Sequence, residues 1–308
     1  MINEPKPYTF CAEEEEIGER LDKAIAARLT DLSRTQIQQL IKDGQALVNE
    51  SASKPAYKLE TGDCVSVVIP IEVDIEIQAE DIELEVLYED EHLAVINKPA
   101  GMVTHPAQGN EIGTLVNAAL ARWPQVRTVG DDPTRAGIVH RLDKDTSGVI
   151  LIALTNEARL HLMAQFKDRI VEKHYIALVE RHPTNIKGRI DAPIARDPRH
   201  RKRMSVQRDG KEAITEFFVR DRFKDQALLD VFPKTGRTHQ IRVHLAFIDC
   251  PIVGDHVYGY RKQRIKMKRL FLHAFRISFD HLTTGERLSF EAPMSAGLQN
   301  ILEKLPTD

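Results

Sequence analysis

The sequence predicts an α+β protein in two parts: a large domain on a mixed, largely antiparallel β-sheet, preceded by a small helix-and-strand module. Three observations carry this. Strand-like runs crowd the C-terminal two-thirds without a helix after each one, which disfavours a doubly wound parallel sheet. Two helical stripes and two short strands fit between residues 17 and 70. A chain of 308 residues also exceeds what one core usually supports, about 250–300 residues.

Residues 1–16 read as a tail and residues 17–70 as the small module. Leu21, Ile25 and Leu29 recur at helical spacing. Ser33 with Gln36 three residues on makes a capping box for a second helix, striped by Ile37, Leu40 and Ile41 and closed by Gly44. ALVN (46–49) and VSVVIP (65–70) are its strands. So small a core suits binding better than catalysis. Residues 71–91 hold no Lys or Arg and alternate apolar with acidic side chains, as an exposed strand or spacer would. We bound the acidic linker at 71–83 and the large domain at 84–308.

In that domain LAVINKPAGM (93–102) is a strand entering a Lys-Pro-x-Gly turn, and Trp123 reads as packing. GVILIAL (148–154) is a buried strand, after which Thr155 caps a helix containing Leu160, Met163 and Ala164. HYIALV (174–179), AITEFFV (213–219) and ALLDVF (227–232) are further strands, and Ile241, Leu245 and Ile248 mark a helix.

Composition excludes several classes. Hydrophobic residues at 42% beside 29% charged ones describe a folded chain rather than a disordered one. No apolar run approaches the roughly 20 residues of a membrane span, and the N-terminus lacks a signal-peptide pattern. Cys11, Cys64 and Cys250 lie far apart, which argues for a reducing compartment and against both a disulfide framework and a zinc site. The expectation is a cytoplasmic protein without cofactor or metal. No phosphate-binding loop, dinucleotide fingerprint or HExxH occurs, and His239 and His244, five apart, diverge. The net charge of −3 hides a split. Residues 1–91 carry 8 Lys and Arg against 22 Asp and Glu, and the remainder 35 against 24, a basic balance suited to a polyanion.

Taken alone, Arg141-Leu142-Asp143-Lys144-Asp145 reads as a surface ion cluster. Asp143 and Asp145 share a face of an extended chain about 6–7 Å apart, too close to straddle a substrate bond. Asp143, Tyr175, Arg237, His239 and Arg242, if brought together, would supply one carboxylate, a phenol and cations. A single carboxylate kept charged by an arginine is a candidate nucleophile.

HRLDKDTSG (140–148), KHYIALV (173–179) and GRTHQIRVH (236–244), in that order, resemble the RluA/RluD-type pseudouridine synthases of ribosomal RNA. NKPAGMVTHP (97–106), CPIVGD (250–255) and YG (258–259) add to the likeness. Residues 17–70, with SRTQIQQLIKDGQALVNE, resemble the S4-type RNA-binding domain. The resemblance implies an α+β catalytic domain with a central cleft and no cofactor or metal. It makes Asp143 the catalytic aspartate and Arg242 its partner, expected in a planar two-point pairing. Tyr175 becomes the tyrosine lying against the target base and a general base, and Arg141 the filler of the stack a flipped uridine leaves. The partner it implies is ribosomal RNA or an assembling large subunit, met by a monomer. For RNA contact we add Arg34 and Lys42 on the second helix, Lys98 in its turn, Arg237 and His239 before the last helix, and the basic runs 196–211 and 261–269. Three routes stay open for Asp143: attack at C1′, addition at C6, or elimination to a glycal. A non-catalytic RNA-binding protein and a nucleoside hydrolase are the rival readings, the latter releasing free uracil.

Overall fold

A computed structural model describes residues 7–30, 32–69, 77–107, 109–200 and 203–306. Residues 1–6 of the expected tail, Pro70, residues 71–76 of the expected linker, and Arg201 and Lys202 of the first basic run lie outside the described residues. The chain forms two compact units, Met1–Ile75 and Glu76–Asp308.

The first unit contains β1 (Tyr8–Cys11), α1 (Leu21–Arg28), α2 (Arg34–Lys42), β2 (Ala46–Val48), β3 (Ser51–Ala52) and β4 (Cys64–Val67). Its antiparallel sheet runs β1-β4-β2-β3. Leu21, Ile25, Ile37 and Ile41 pack on Val48, Val65 and Val67, so the two helical stripes meet the ribbon as the spacing requires. The Ser33–Gln36 capping box forms, and Gly44 follows the helix end at φ 73°. Asp22, fully buried, takes Arg20, Arg34 and Gln38 and ties α1 to α2.

Two expectations fail here. Part of the supposed tail, Tyr8–Cys11, is a strand of this sheet. Cys11 and Cys64 are disulfide-bonded, because antiparallel pairing sets them opposite each other with 4.0 Å between Cα atoms. Sequence separation hides such proximity, so the cysteines give no argument for a reducing compartment.

The second unit holds β5 (Glu85–Glu89), β6 (Leu93–Lys98), α3 (Leu115–Arg122), β7 (Ser147–Ala153), α4 (Asn156–Lys167), β8 (Glu172–Val179), β9 (Lys187–Asp191), β10 (Ile194–Arg196) and β11 (Met204–Val206). It continues through β12 (Ile214–Arg222), β13 (Ala227–Pro233), α5 (Gln240–Phe247), β14 (Leu272–Asp280), β15 (Arg287–Glu291) and α6 (Ala296–Glu303). A nine-stranded sheet runs β5-β6-β7-β14-β8-β13-β12-β9, with β15 on β14, and β10–β11 forms a separate hairpin. Every pairing in the large sheet is antiparallel except β7 with β14. Residues 77–83 are no free spacer. Ile77 is buried in this unit's core, Gln78 accepts a bond from Asn117, and Glu80 accepts one from the Gly113 amide.

Trp123 packs as expected and donates to Glu89. In α4, capped by Thr155, the buried face is Ala158, Leu162 and Gln165, while Leu160 and Met163 point to solvent. Gln165 both donates to and accepts from the Asp280 backbone, fixing α4 on β14. Among the described residues no helix is long and apolar enough to cross a membrane.

Candidate active site

Asp143 sits in the loop before β7, and its backbone is clamped from several sides. Leu142 is buried, and its carbonyl accepts the Thr104 hydroxyl at 2.9 Å. The Gly101 amide donates to the Lys144 carbonyl, and Thr146 N closes the turn onto the Asp143 carbonyl. The Thr-Ser-Gly that follows has a structural reason. Ser147 bonds His273 of β14, and Gly148 stands at φ 115° where a Cβ would lie 2.1 Å from the Ala274 carbonyl. Only glycine lets β7 and β14 approach so closely there.

Arg242, in the first turn of α5, reaches Asp143 with one N–H: Nη1 donates to Oδ2 at 3.1 Å. Its two-point pairing is with a different acid. Nε and Nη2 donate to Asp255 at 2.7 and 3.0 Å, which corrects the expected two-point contact with Asp143. Asp255 is 1% exposed and also accepts the Val257 and Tyr258 amides. Burial works against charge on both partners. For Arg242 the Asp255 hydrogen bond, and then the Asp143 charge, more than reverse it, and Arg242 in turn holds Asp255 below the usual carboxylate range.

His239 approaches the same oxygen, with Nε2 3.9 Å from Asp143 Oδ2. It sits at φ 56°, just ahead of α5. Its Nδ1 lies 2.8 Å from the Tyr258 hydroxyl, which already accepts the Met204 amide at 2.8 Å. With that amide accepted, the single proton of Tyr258 is available for Nδ1. Burial lowers the pKa of His239 and favours the neutral ring, and with Tyr258 as donor to Nδ1 the ring proton sits on Nε2, toward Asp143. Gln240 fixes the loop before it, accepting from Thr235 and the Arg237 amide and donating to Ile214 and Thr215. His244 is a buried structural histidine bonded to Thr215 and the Ala192 carbonyl.

Both contacts to Asp143 use Oδ2, and among the described residues Oδ1 has no hydrogen bond. The carboxylate opens on a cleft of about 520 Å³ lined by Arg141, Tyr175, Arg237, His239 and Arg242 among others. Arg141 is exposed at its rim, and Arg237 is anchored through Nε to the Glu212 carbonyl. Tyr175, on β8, presents a half-buried ring. Burial, and then the charge of Asp143, raise its phenol well above the ordinary value, so it stays protonated at neutral pH. That electrostatic setting opposes the general-base role expected for it.

Lys98 is corrected outright. It is fully buried, and its ammonium donates to the carbonyls of Pro99 and Met102 at 2.8 Å and of Lys144 at 3.3 Å. Burial pushes its pKa down to about 7, against the pull of Asp143 and Asp145. It braces the loop and cannot meet phosphate. In the first unit Lys42 is exposed, and Arg34, half-exposed, is engaged with Asp22 at 3.2 Å. Among the described residues no group of three or more His, Cys, Asp or Glu could hold a metal ion.

Sequence reasoning brought Asp143, Tyr175, Arg237, His239 and Arg242 to one cleft. It assigned no role to Asp255, Tyr258, Gln240 or Thr104, although the first two stand in the quoted CPIVGD and YG segments.

Comparison with known proteins places the chain among pseudouridine synthases. A family model described as RNA pseudouridylate synthase matches residues 92–247, and the S4 domain model matches residues 19–65. An uncharacterized RNA pseudouridine synthase of Bacillus subtilis is 45% identical over 96% of this chain and 97% of its own. Ribosomal large subunit pseudouridine synthase D of Zymomonas mobilis is 40% identical over 95% of each. The solved human RNA pseudouridylate synthase domain containing 1 superposes with a TM-score of 0.57 at 25% identity, covering 75% of this chain and 98% of that one.

Proposed function

The chain belongs to the RNA pseudouridylate synthase family, and from that premise we propose that it isomerises uridines of large-subunit ribosomal RNA, with Asp143 as the reacting carboxylate. The observation that carries the reading is the one-sided anchoring of that acid: Oδ2 is held by Arg242 and faced by His239, while Oδ1 is left to the cleft. The large-subunit substrate rests on relatives such as the Zymomonas protein, whose name states it. The nature of the substrate supports a cytoplasmic protein.

The reaction breaks the N1–C1′ bond of a uridine and joins C1′ to C5, with the C5 proton lost and N1 gaining one. Composition is unchanged and no water is consumed. The uridine must first leave its stack, at a cost of a few kcal/mol. Arg141, exposed at the rim, takes the vacated place and a phosphate contact. The Tyr175 ring receives the uracil face, a stacking contact of about 1–3 kcal/mol. As a protonated phenol it donates a hydrogen bond rather than accepting a proton. Asp143 Oδ1 then meets the nucleotide, while Arg242 holds Oδ2 in place with the neutral His239 beside it.

The test is carbodiimide mapping of large-subunit RNA after incubation with wild type or Asp143→Asn. Wild type should give new reverse-transcriptase stops without free uracil, and the variant no stops with nearly unchanged RNA affinity. Stops from the variant would refute the assignment, and free uracil would mark a hydrolase.

A further inference from the structure

We propose that Lys173 and the hollow beside it seat a phosphodiester of the RNA strand next to the flipped nucleotide, an inference that rests on the function proposed above. The hollow, about 420 Å³, is lined by Arg169, Lys173, Arg189, Lys234 and Arg276. It shares Arg169, Lys173, Pro233 and Lys234 with the catalytic cleft, so the two are neighbours across Lys173. A polynucleotide whose base lies in the first has a cationic path for its backbone in the second.

Four of the five cations already have carboxylates. Arg169 pairs with Glu212 at 2.9 Å, Arg189 with Glu216 at 3.5 Å, Lys234 with Glu216 at 3.1 Å and Arg276 with Glu291 at 3.8 Å. Glu172, which also lines the hollow, pairs with Arg287 at 3.3 Å. Lys173 differs. Among the described residues it has no carboxylate partner, and its one hydrogen bond goes to the Thr235 carbonyl at 3.2 Å. An ammonium has three protons to place, so two remain for a ligand.

The surroundings make an anion the fitting ligand. Arg169, Lys234 and Arg276 face Lys173 across the hollow, Tyr175 follows it on the same strand face, and His140 lies on the cleft side. His140 is neutral, accepting the Leu151 amide on Nε2, and burial followed by the charge of Lys173 pushes its pKa down to about 3. Burial, and then Lys234, push Lys173 down to about 8. A phosphate would reverse both effects. Lys173 and Tyr175 stand two residues apart on β8, about 6–7 Å along the strand. A base lying against Tyr175 therefore keeps its own backbone near Lys173.

Equilibrium binding of the full chain to a large-subunit RNA transcript over a salt series tests this. Lys173→Met should lower the slope of log K against log salt by about 0.7–0.9, one phosphate contact. Wild-type affinity should fall up to about tenfold between about pH 7 and pH 9 as the lysine loses its proton, and Lys173→Arg should abolish that fall. A wild-type slope in Lys173→Met, or the same pH dependence in Lys173→Arg, overturns the proposal. If the methionine variant does not fold, the pH comparison decides alone. Product from Asp143→Asn would instead overturn the catalytic reading and leave the slope result standing.

Discussion

Replacing Asp255 with Asn isolates the anchoring of the reactive acid from the acid itself. The wild-type carboxylate receives four N–H donors: two from Arg242 and the amides of Val257 and Tyr258. The side chains of Arg242 and Asp255 are 8% and 0% exposed, so the pair is desolvated. Asn keeps one acceptor and turns an N–H₂ toward a guanidinium N–H, leaving a buried cation short of a partner. Breaking a buried pair from one side costs about 3–5 kcal/mol, and a unit of this size loses about 2–4 °C per kcal/mol, so its thermal midpoint should fall by about 6–20 °C. Turnover should fall about a hundredfold, because Arg242 is then free to turn toward Asp143 and a displacement of about 1 Å suffices for that loss. The pair lowers the pKa of Asp255, so its stabilisation is complete above the unfolded value of about 3.9 and is lost as pH falls through the lower folded value. The wild-type advantage should be level from neutral pH down to about pH 5 and shrink below about pH 4. Calorimetry across pH and single-turnover kinetics on RNA read both effects. Wild-type turnover in a folded Asp255→Asn protein would refute the anchoring argument.

Tyr258→Phe removes the proton that fixes His239 and should lower turnover roughly fivefold, the worth of one hydrogen bond of about 1 kcal/mol. Imidazole ¹⁵N shifts should show His239 as the Nε2–H tautomer in wild type and mixed in the variant; an unchanged tautomer would sink the role given to Tyr258. Lys98→Met strands three carbonyls and should cost about 3 kcal/mol or more in denaturant unfolding, with the salt slope of RNA binding unchanged. A slope reduced by about 0.7–0.9 would restore Lys98 to phosphate contact.

The architecture was legible where one face of an element is apolar. α2 shows its stripe and capping box in plain sequence, and β7, buried at every position, reads as an apolar run from Val149 on. β14 was not read, although it lies between β7 and β8. Its His273 and Arg276 interrupt the apolar pattern, and what accommodates His273 comes from afar: Ser147 and the Ala292 carbonyl. The disulfide escaped for the same reason, since the register of β1 with β4 is a long-range fact. Lys98 shows the converse error. A lysine beside a turn usually faces water, and only the convergence of three carbonyls explains a buried one.

Within the site, residue types identified the groups in the cleft but not how they divide their bonds. Arg242 was expected to give both arms to Asp143, and the division with Asp255 has a consequence for substrate choice. Two carboxylates share one guanidinium while His239 stays neutral, so the charge of Arg242 is taken up by the acids it holds. The cations that could balance a backbone stand at the edge instead, in Arg141, Arg237, Lys173 and Lys234. Cations placed there suit a nucleotide that enters base first with its phosphates held at the rim. On the function proposed above, C1′ meets Asp143 Oδ1 only after the uridine has left its stack, so flipping is a condition of reaction.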